Sequence, residues 1–583
     1  MREKTPTAGR SSSRWQRFID RELLRLSQDR APVIMTVLGV ITGLLAGAVV
    51  IAFRLLYESG QGVFLAGGPE RFETLEGWQR LTLTLAGAAL IGLYLQWLAR
   101  AGARTGIAYV IERTAYHQAL LPVRNAIHQF VAGAMAIVSG QSVGREGPSV
   151  HLGATAGSQV GQRFGLPNNS LRVLVACGTA AAIGASFNTP LAGVAFAMEV
   201  VVMEYTIAGF LPVIVASVVA TALAHGVFGA DIAFVIPALG LQGLHELPLV
   251  IGLGLAVGGL AALFIRALCL VSGLLHGWPV AARATLGGGI VGLIALPVPQ
   301  VMGIGYDTLA ATLNGEIGTG LLLAIIAGKL VATVAVLGLG IPGGLIGPTL
   351  VIGAAAGGAL GLFYESLMSA PFGGMALYVL LGMGAMMGAT LRAPLAALIA
   401  MLELTANPGV IMPGMLAIAA ATMATRELFR TDSVYHLALG ERGLDPRRNP
   451  LLQAASRLGV LQIIDTRLTV LAPAPTEDAL HAGLAQGSNW LLQIGDDSTP
   501  ARLYDAQVLA RQLTDGQRPS GGDEVITLDA RASLREALER LRTAQAEALV
   551  VTGRGGRDQT DFLGVVSRSA IQQAYLASSP PGS

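Results

Sequence analysis

Charged residues are scarce in this chain. Asp, Glu, Lys and Arg make up 13% of its 583 residues, against about 25% in a typical soluble domain. Apolar residues make up 52%. A soluble protein of this size needs more charge than this to cover its surface. The composition therefore argues against an ordinary soluble enzyme and favours a protein that lies mostly in a lipid bilayer.

Cysteine is also nearly absent. Cys177 and Cys269 are the only two, and both lie in apolar runs that resemble neither a disulfide framework nor a metal-binding motif. The net charge of +2 gives no indication of nucleic-acid binding. Because the sequence contains no plausible nucleophile–base pair or metal cluster, we expect no enzymatic activity, no cofactor and no nucleic-acid partner.

Glycine, in contrast, is abundant, with 75 residues. Small residues allow helices to pack closely within lipid. From Pro32 to about Leu428 apolar runs follow one another, and several approach the roughly 20 residues that cross a bilayer. Others are shorter and are interrupted by Gly and Pro, as in transporters whose broken helices form the substrate site. We predict an all-α polytopic membrane domain over residues 32–445.

Two segments flank this domain. Residues 1–31 are basic and amphipathic, and we expect them to form a helix on the cytoplasmic face, by the positive-inside rule. Residues 446–583 contain short apolar pieces that alternate with helical patterns, which predicts a small soluble α/β domain. The chain is therefore expected to be a multi-pass protein of the cell membrane with both termini in the cytoplasm.

The membrane region contains an internal repeat. One block recurs at an offset of 200 residues and a second block, further along, at an offset of 204. The matched residues of the first copy are Gly144, Gly147, Pro148, Gly153, Ala154, Ala156, Gly157, Gly178, Gly184, Ala185, Pro190, Leu191, Ala192 and Glu199. Two blocks in the same order indicate two copies of one unit, and such copies in transporters are often inverted around an ion site.

The stretch from Gly144 to Val150 is the leading candidate for that site. It places Arg145 and Glu146 inside an apolar region, where a charge is costly and by default functional. Pro148 suits the first turn of a helix, and helix N-termini bind anions. Glu146 would hold a tethered carboxylate where a free anion otherwise binds, which suggests a gate. The alternative is a tight turn in which Arg145 and Glu146 form a structural pair.

These motifs resemble the CLC family of chloride channels and chloride/proton exchangers over roughly residues 30–445. Gly144–Pro148 is similar to the family's GREGP signature, and Gly343–Pro348 resembles its GGxFAP segment, with Ile346 and Gly347 in place of Phe and Ala. Arg104–Ala108 resembles the GSGIP segment more loosely, and Asp432–Tyr435 resembles the segment that carries the pore tyrosine. The resemblance implies two inverted repeats and a homodimer with one anion pathway in each subunit.

The resemblance also implies roles for individual residues. The central chloride would be held by the hydroxyl groups of Thr105 and Tyr435 and by the backbone N–H groups of Leu345 and Ile346. Glu146 would be the gating carboxylate, flanked by the N–H groups of Arg145 and Gly147. Neutral donors of this kind replace water around chloride without trapping it.

Some of these residues could instead have purely structural roles. Thr105 could bond a helix carbonyl, and Tyr435 could be an interfacial anchor. We favour structural roles for Glu403, as a cap on neighbouring backbone, for the mid-span Lys329, and for His151 in the core.

Val200 is the main departure from the exchangers of the family. It occupies the position of their inner proton-delivering glutamate, and a valine cannot relay a proton. Glu199 and Glu204 lie close in sequence and could substitute. We therefore expect passive, channel-like chloride conduction gated by Glu146, with proton-coupled exchange along a rerouted path as the alternative. A membrane-bound sensor that mainly signals to the tail is a third possibility.

The tail resembles a pair of CBS modules, best over Leu563–Arg568. Such pairs often bind adenine nucleotides. The acidic residue that usually holds the ribose is missing, because Ser569 and Ala570 stand in its place. We accordingly favour a structural or dimerising role over nucleotide binding.

Overall fold

Long apolar helices make up most of the described chain. The computed structural model describes residues 31–65, 68–99, 104–203, 207–230, 240–275, 277–367, 373–440, 442–444, 458–473, 475–495, 501–515, 522–553 and 562–578. The predicted N-terminal amphipathic helix lies outside these ranges except for its last residue, and so does Glu204. The chain divides into two compact units, one formed by residues 34–160 and 172–445, the other by residues 446–583 together with 161–171.

The helices of the first half of the membrane unit are α1 (Ala31–Gly62), α2 (Gly77–Ala99), α3 (Ile107–Tyr116), α4 (Val123–Val138), α5 (Glu146–Arg163), α6 (Asn168–Phe187), α7 (Pro190–Phe196) and α8 (Ile207–Phe228). Those of the second half are α9 (Leu247–Leu274), α10 (Val280–Ala295), α11 (Tyr306–Leu313), α12 (Thr319–Gly338), α13 (Ile346–Leu367), α14 (Met375–Leu391), α15 (Pro394–Thr405), α16 (Ile411–Met423) and α17 (Val434–Gly440). Among the described residues, seven helical segments are long and apolar enough to cross a membrane. The polytopic all-α prediction is therefore confirmed.

An inverted symmetry relates the two halves. Gly144 and Gly344, which the repeat matches at an offset of 200, form an antiparallel bridge in which each N–H donates to the other's carbonyl, at 2.7 and 2.8 Å. Helix α5 begins two residues after the first glycine and α13 two residues after the second. Since equivalent residues pair with each other in opposite directions, the copies are inverted about this bridge.

Matched glycines bring consecutive helices together in both copies. A Cβ on Gly153 of α5 would lie 2.2 Å from the carbonyl oxygen of Gly178 on α6. A Cβ on Gly353 of α13 would lie 2.3 Å from that of Gly382 on α14. Real Cβ atoms do not approach backbone this closely, so only glycine permits the contact. Part of the glycine excess thus serves backbone-to-backbone packing.

The tail consists of two similar α/β parts. The first contains β1 (Leu468–Leu471), α18 (Glu477–Ala485), β2 (Trp490–Gln493), β3 (Arg502–Asp505), α19 (Ala506–Thr514) and β4 (Asp523–Glu524). The second contains β5 (Thr527–Asp529), α20 (Leu534–Thr543), β6 (Ala548–Thr552), β7 (Phe562–Ser567) and α21 (Arg568–Ser578). In both parts a parallel pair of strands encloses a helix and an antiparallel strand follows, giving sheet orders β1-β2-β3-β4 and β5-β6-β7.

Local signals explain the tail's elements well. Thr476, Asp505 and Ser533 each accept a backbone N–H at the start of a helix, which is the preferred chemistry of an N-cap. Three of the short apolar pieces of this region, Trp490–Ile494, Ala548–Val551 and Leu563–Val566, coincide with β2, β6 and β7. One buried cluster contains residues of both sheets, namely Leu492, Leu503, Ala548, Val550 and Val565. The α/β prediction for this region is therefore confirmed.

Candidate functional site

Glu146 lies in a cradle made by both repeats. Its side chain is fully buried, and its Oε1 accepts the backbone N–H of Ile346, 200 residues away in sequence. A Cβ on Gly144 would lie 2.1 Å from Oε2 of Glu146, and a Cβ on Gly344 would lie 2.1 Å from its Cδ. The carboxylate thus fills the space that side chains on these two bridged glycines would need.

The start of α13 supplies the donor. Ile346 is the first residue of this helix and Leu345 immediately precedes it, so their N–H groups belong to the unsatisfied set at a helix N-terminus. The Ile346 N–H is one of the donors predicted to hold chloride, and here it binds a carboxylate instead. A free anion and the Glu146 side chain would therefore compete for the same hydrogen bond.

Tyr435 presents a second donor near the same place. The residue is 7% exposed, and its hydroxyl group is buried without a hydrogen-bond partner among the described residues. Glu146 is close enough to act on this hydroxyl electrostatically. Since buried hydroxyl groups are nearly always paired, the unmet donor fits an anion that the protein would bind here.

The position of Tyr435 depends on the start of α17. Asp432 accepts the backbone N–H of Ser433 at 2.7 Å and also a hydrogen bond from Arg392. The Ser433 hydroxyl group lies 2.9 Å from Nδ1 of His436. These contacts tie α17 to the end of α14 and hold the tyrosine in place.

Thr105 lies two residues before the first residue of α3. The next residue, Gly106, has a φ of +91°, a conformation that favours glycine. Its N–H donates to Nδ1 of His151 at 3.3 Å. His151 is fully buried and lies five residues after Glu146 on α5. His151 thus lies in the core, as predicted, and its hydrogen bond links the Thr105 segment to the helix that carries Glu146.

The guanidinium group of Arg145 is directed to aromatic groups rather than to Glu146. Its Nη1 donates to the hydroxyl oxygen of Tyr57 at 3.0 Å. Its Cζ lies 4.9 Å from the ring centre of Phe187 and 5.1 Å from that of Tyr306. No salt bridge joins Arg145 and Glu146 among the described residues, and the structural pair stays an untested alternative. Arg145 instead fastens the start of α5 to its surroundings through a hydrogen bond and cation–π contacts.

Gly147 meets the opposite repeat. A Cβ on this residue would lie 2.5 Å from the carbonyl oxygen of Gly343. The first turn of α5 therefore packs directly on the loop before α13, which brings the two helix starts to one place.

Glu199 and Glu403 make reciprocal caps. The two carboxylate oxygens of Glu199 accept the N–H groups of Leu395 and Ala396 at 3.1 and 2.8 Å. Those of Glu403 accept the N–H groups of Leu191 and Ala192 at 2.9 and 2.8 Å. The cap expected for Glu403 is present, and the matching one at Glu199 was missed, although the 204-residue offset pairs the two glutamates.

Val200 follows Glu199 in a π-helical extension of α7, Ala197–Val202, and is 5% exposed. The position that we predicted to match the exchangers' inner glutamate is therefore apolar and buried. The role of Glu199 as a substitute proton carrier remains a prediction, and Glu204 lies outside the described residues.

Lys329 is buried among backbone carbonyl groups. Its Nζ donates to the carbonyl oxygens of Val301, Met302 and Gly303 at 3.1, 3.3 and 2.8 Å. These three bonds satisfy the donors of the ammonium group. The contacts agree with the structural role that we favoured for this mid-span charge.

Comparison with known proteins gives a consistent result. The family model described as "Voltage gated chloride channel" matches residues 87–426, more than half of the chain. A ClcB-like chloride channel protein of Ralstonia nicotianae is 34% identical over 420 residues, covering 70% of this chain and 96% of that protein. The H⁺/Cl⁻ exchange transporter ClcA of Vibrio cholerae is 30% identical over 410 residues, covering 67% of this chain and 85% of that protein.

A solved structure extends the likeness beyond the membrane region. The crystal structure of a eukaryotic CLC transporter aligns with a TM-score of 0.57 and 18% sequence identity. The alignment covers 95% of this chain and 98% of that one. At this identity the likeness bears on the fold alone, and its extent includes most of the α/β tail.

Proposed function

The chain belongs to the CLC family of chloride channels and chloride/proton exchangers, and we propose that within this family it exchanges chloride for protons through Glu146. Chloride transport itself is what the family relationship supports. The finer assignment rests on one observation, the Glu146 carboxylate bound to the Ile346 N–H in the glycine cradle.

The geometry supports coupling by competition. An ionised carboxylate accepts hydrogen bonds more strongly than the neutral acid does. When Glu146 takes up a proton, its hydrogen bond with the Ile346 N–H weakens. Chloride can then bind the N–H donors that the side chain has left. When chloride leaves, the deprotonated side chain returns. One titratable group thus alternates between proton and anion sites.

The relatives named as exchangers favour exchange over the passive conduction expected from the sequence, whereas the Ralstonia nicotianae protein is named a chloride channel protein. The Vibrio cholerae protein, 30% identical, is named an exchange transporter. Passive conduction stays as a second candidate because of Val200, whose buried apolar side chain offers no proton site. Exchange would then need another inner route, for which Glu199 and Glu204 are the candidates that the sequence offers.

We propose that the central chloride is held by the Tyr435 and Thr105 hydroxyl groups and by the N–H groups of Leu345 and Ile346. The N–H groups of Arg145 and Gly147 at the start of α5 would form the outer part of the same site. The Tyr435 hydroxyl supports this assignment best, since it is buried and unpaired among the described residues.

The assembly follows the family pattern in this proposal. Each subunit of a homodimer would contain one pathway, and both termini would face the cytoplasm. The tail would contribute to structure or dimerisation, with adenine-nucleotide binding as the weaker option because Ser569 and Ala570 replace the acidic residue.

A proteoliposome experiment tests exchange against passive conduction. Purified protein is reconstituted, a chloride gradient is applied, and chloride and external pH are recorded together. We expect chloride movement to drive protons uphill at a fixed ratio. Glu146→Gln should abolish proton movement and keep chloride flux, because the neutral side chain no longer binds protons. Chloride flux without uphill proton movement in the wild type would instead establish passive conduction.

A further inference from the structure

A single buried carboxylate on α3 joins two arginines. Glu112 lies on α3, and its side chain is 5% exposed. Its Oε1 lies 3.0 Å from Nη1 of Arg104, and its Oε2 lies 3.0 Å from Nη1 of Arg442. His117 Nε2 lies 3.7 Å from Oε1. Each carboxylate oxygen thus serves a different arginine.

The two arginines belong to the segments that carry the predicted chloride-binding hydroxyl groups. Arg104 immediately precedes Thr105. Arg442 follows α17, the short helix that carries Tyr435, by two residues. Glu112 and Arg442 are 330 residues apart in sequence. The carboxylate is therefore a bridge between the start of α3 and the end of α17.

Only the carboxylate of this bridge is buried, because the side chains of Arg104 and Arg442 are 58% and 41% exposed. Hydrogen bonds between charged groups are the strong ones. Removing one arginine takes away part of the compensation for the buried Glu112 charge, which is unfavourable. Solvent around the two exposed guanidinium groups screens part of this interaction. The arrangement resists any movement that separates α3 from α17.

We propose that Glu112 is a positioning residue that sets the separation of Thr105 and Tyr435. It thereby limits how fast chloride passes between them. This inference rests on the proposed function, because it takes these two residues as part of the chloride pathway. Breaking the bridge should let the two segments separate more often, so that chloride binds more weakly at the centre and turns over faster.

If only the charge of Glu112 mattered, its removal would have a different effect, so that an experiment can distinguish a charge effect from a positioning role. Glu112→Gln removes a negative charge, and Arg442→Gln removes a positive one, yet both break the same bridge. If Glu112 acted only through its field, the two variants would shift the KM for chloride in opposite directions, and high salt would suppress both shifts. A positioning role predicts the same direction in both variants, with kcat raised and central affinity lowered.

The experiment compares full-length wild type with Glu112→Gln, Arg442→Gln and the double variant in proteoliposomes. Chloride flux gives KM and kcat, and calorimetry gives the chloride affinity. We expect both single variants to transport faster and bind more weakly. The double variant should resemble either single one, with non-additivity of about twofold or more, as for residues in direct contact. Glu539→Gln, which breaks an exposed pair with Arg535 in the tail, is the charge-matched control.

Conservative variants keep the test decisive if a glutamine variant does not fold. Glu112→Asp and Arg442→Lys retain the charges but alter the reach and the fork geometry, and they should shift kcat and affinity in the same direction by smaller amounts. The inference alone would be overturned if the two single variants shifted the KM for chloride in opposite directions. It would also be overturned if folded variants kept the kcat and the chloride affinity of an active wild type. A wild type that neither binds nor transports chloride would overturn the proposed function and this inference with it.

Discussion

At the scale of single residues, the site depends on glycines, which have no side chain, as much as on the charged Glu146. Glu146 can reach the Ile346 N–H only because Gly144 and Gly344 leave room for its carboxylate. The bound anion in this structure is therefore one that the chain itself supplies. A free anion of similar charge would meet the same donor, which is the physical basis of the proposed gate.

Gly344→Ala should displace the Glu146 carboxylate, because the new Cβ would lie 2.1 Å from Cδ. We expect a variant whose chloride flux depends much less on pH than that of the wild type, measured in liposomes between acidic and neutral conditions. Gly226→Ala is the control, since its Cβ would meet nothing within 4 Å. A wild-type pH dependence in folded Gly344→Ala would contradict the cradle as the resting place of the gate.

Tyr435→Phe should weaken chloride binding without disturbing the fold. The hydroxyl group has no partner to lose among the described residues, and a hydrogen bond to a charged acceptor is worth about 1.5 kcal/mol, or roughly tenfold in affinity. Calorimetric titration with chloride measures the change. Tyr378→Phe, which removes a hydroxyl bound to Glu246 at 3.3 Å, should leave chloride affinity intact. Equal affinities in wild type and Tyr435→Phe would remove this residue from the site.

At the scale of elements, short helices that begin inside the protein need their N-termini satisfied. Helices α7 and α15 meet this need through each other, because Glu199 at the end of one caps the first turn of the other, and Glu403 returns the contact. Carboxylates at helix N-termini are stabilised by both the free N–H groups and the helix dipole. The broken helices are thus fixed as a pair rather than singly.

Glu199→Gln and Glu403→Gln should destabilise the protein by similar amounts, about 1–2 kcal/mol each, as for the loss of a helix cap. The symmetry of the two caps is the reason for the similarity. Thermal unfolding in detergent measures it, with Glu539→Gln as a reference.

The same glutamine variants also test Glu199 as a proton carrier. If Glu199 is only a cap, proton coupling should survive in both variants. Loss of coupling in Glu199→Gln alone, at equal stability, would assign it to the proton route instead.

At the scale of the whole molecule, both units are built by duplication. The membrane unit contains two inverted copies that meet at the Gly144–Gly344 bridge. The tail contains two copies of a strand–helix–strand–strand–helix pattern. In each case the copies share a centre, which is the glycine bridge in one unit and a mixed apolar cluster in the other.

The expected orientation places both termini in the cytoplasm. The two native cysteines form no disulfide bond in the part of the chain that the structure describes, so both can be replaced by alanine. A single cysteine added at the C-terminus should then react with a membrane-impermeant thiol reagent in inside-out vesicles and stay protected in right-side-out ones. A cysteine at Ser12 should behave identically. Labelling of either terminus from the outside would overturn the topology.

The sequence by itself determined what depends on neighbours along the chain. Apolar runs, glycine and proline positions and the 200-residue offset were enough for the polytopic helices, the repeat and a helix start at Glu146. They also predicted the tail strands, whose apolar pieces are local. The sequence also predicted that Val200 replaces the inner glutamate of the exchangers, but the passive conduction inferred from it is not what the relative named an exchanger favours.

Only the tertiary structure decided contacts between distant residues. Glu146 with Ile346, Glu199 with Leu395, and Glu112 with Arg442 are separated by 200, 196 and 330 residues. No periodicity encodes such pairs, because a side chain's partner depends on how whole helices pack. The same holds for Arg145, whose aromatic partners come from separate elements. Motifs predicted which charged residues belong to the candidate site, but helix packing determines which atoms they contact.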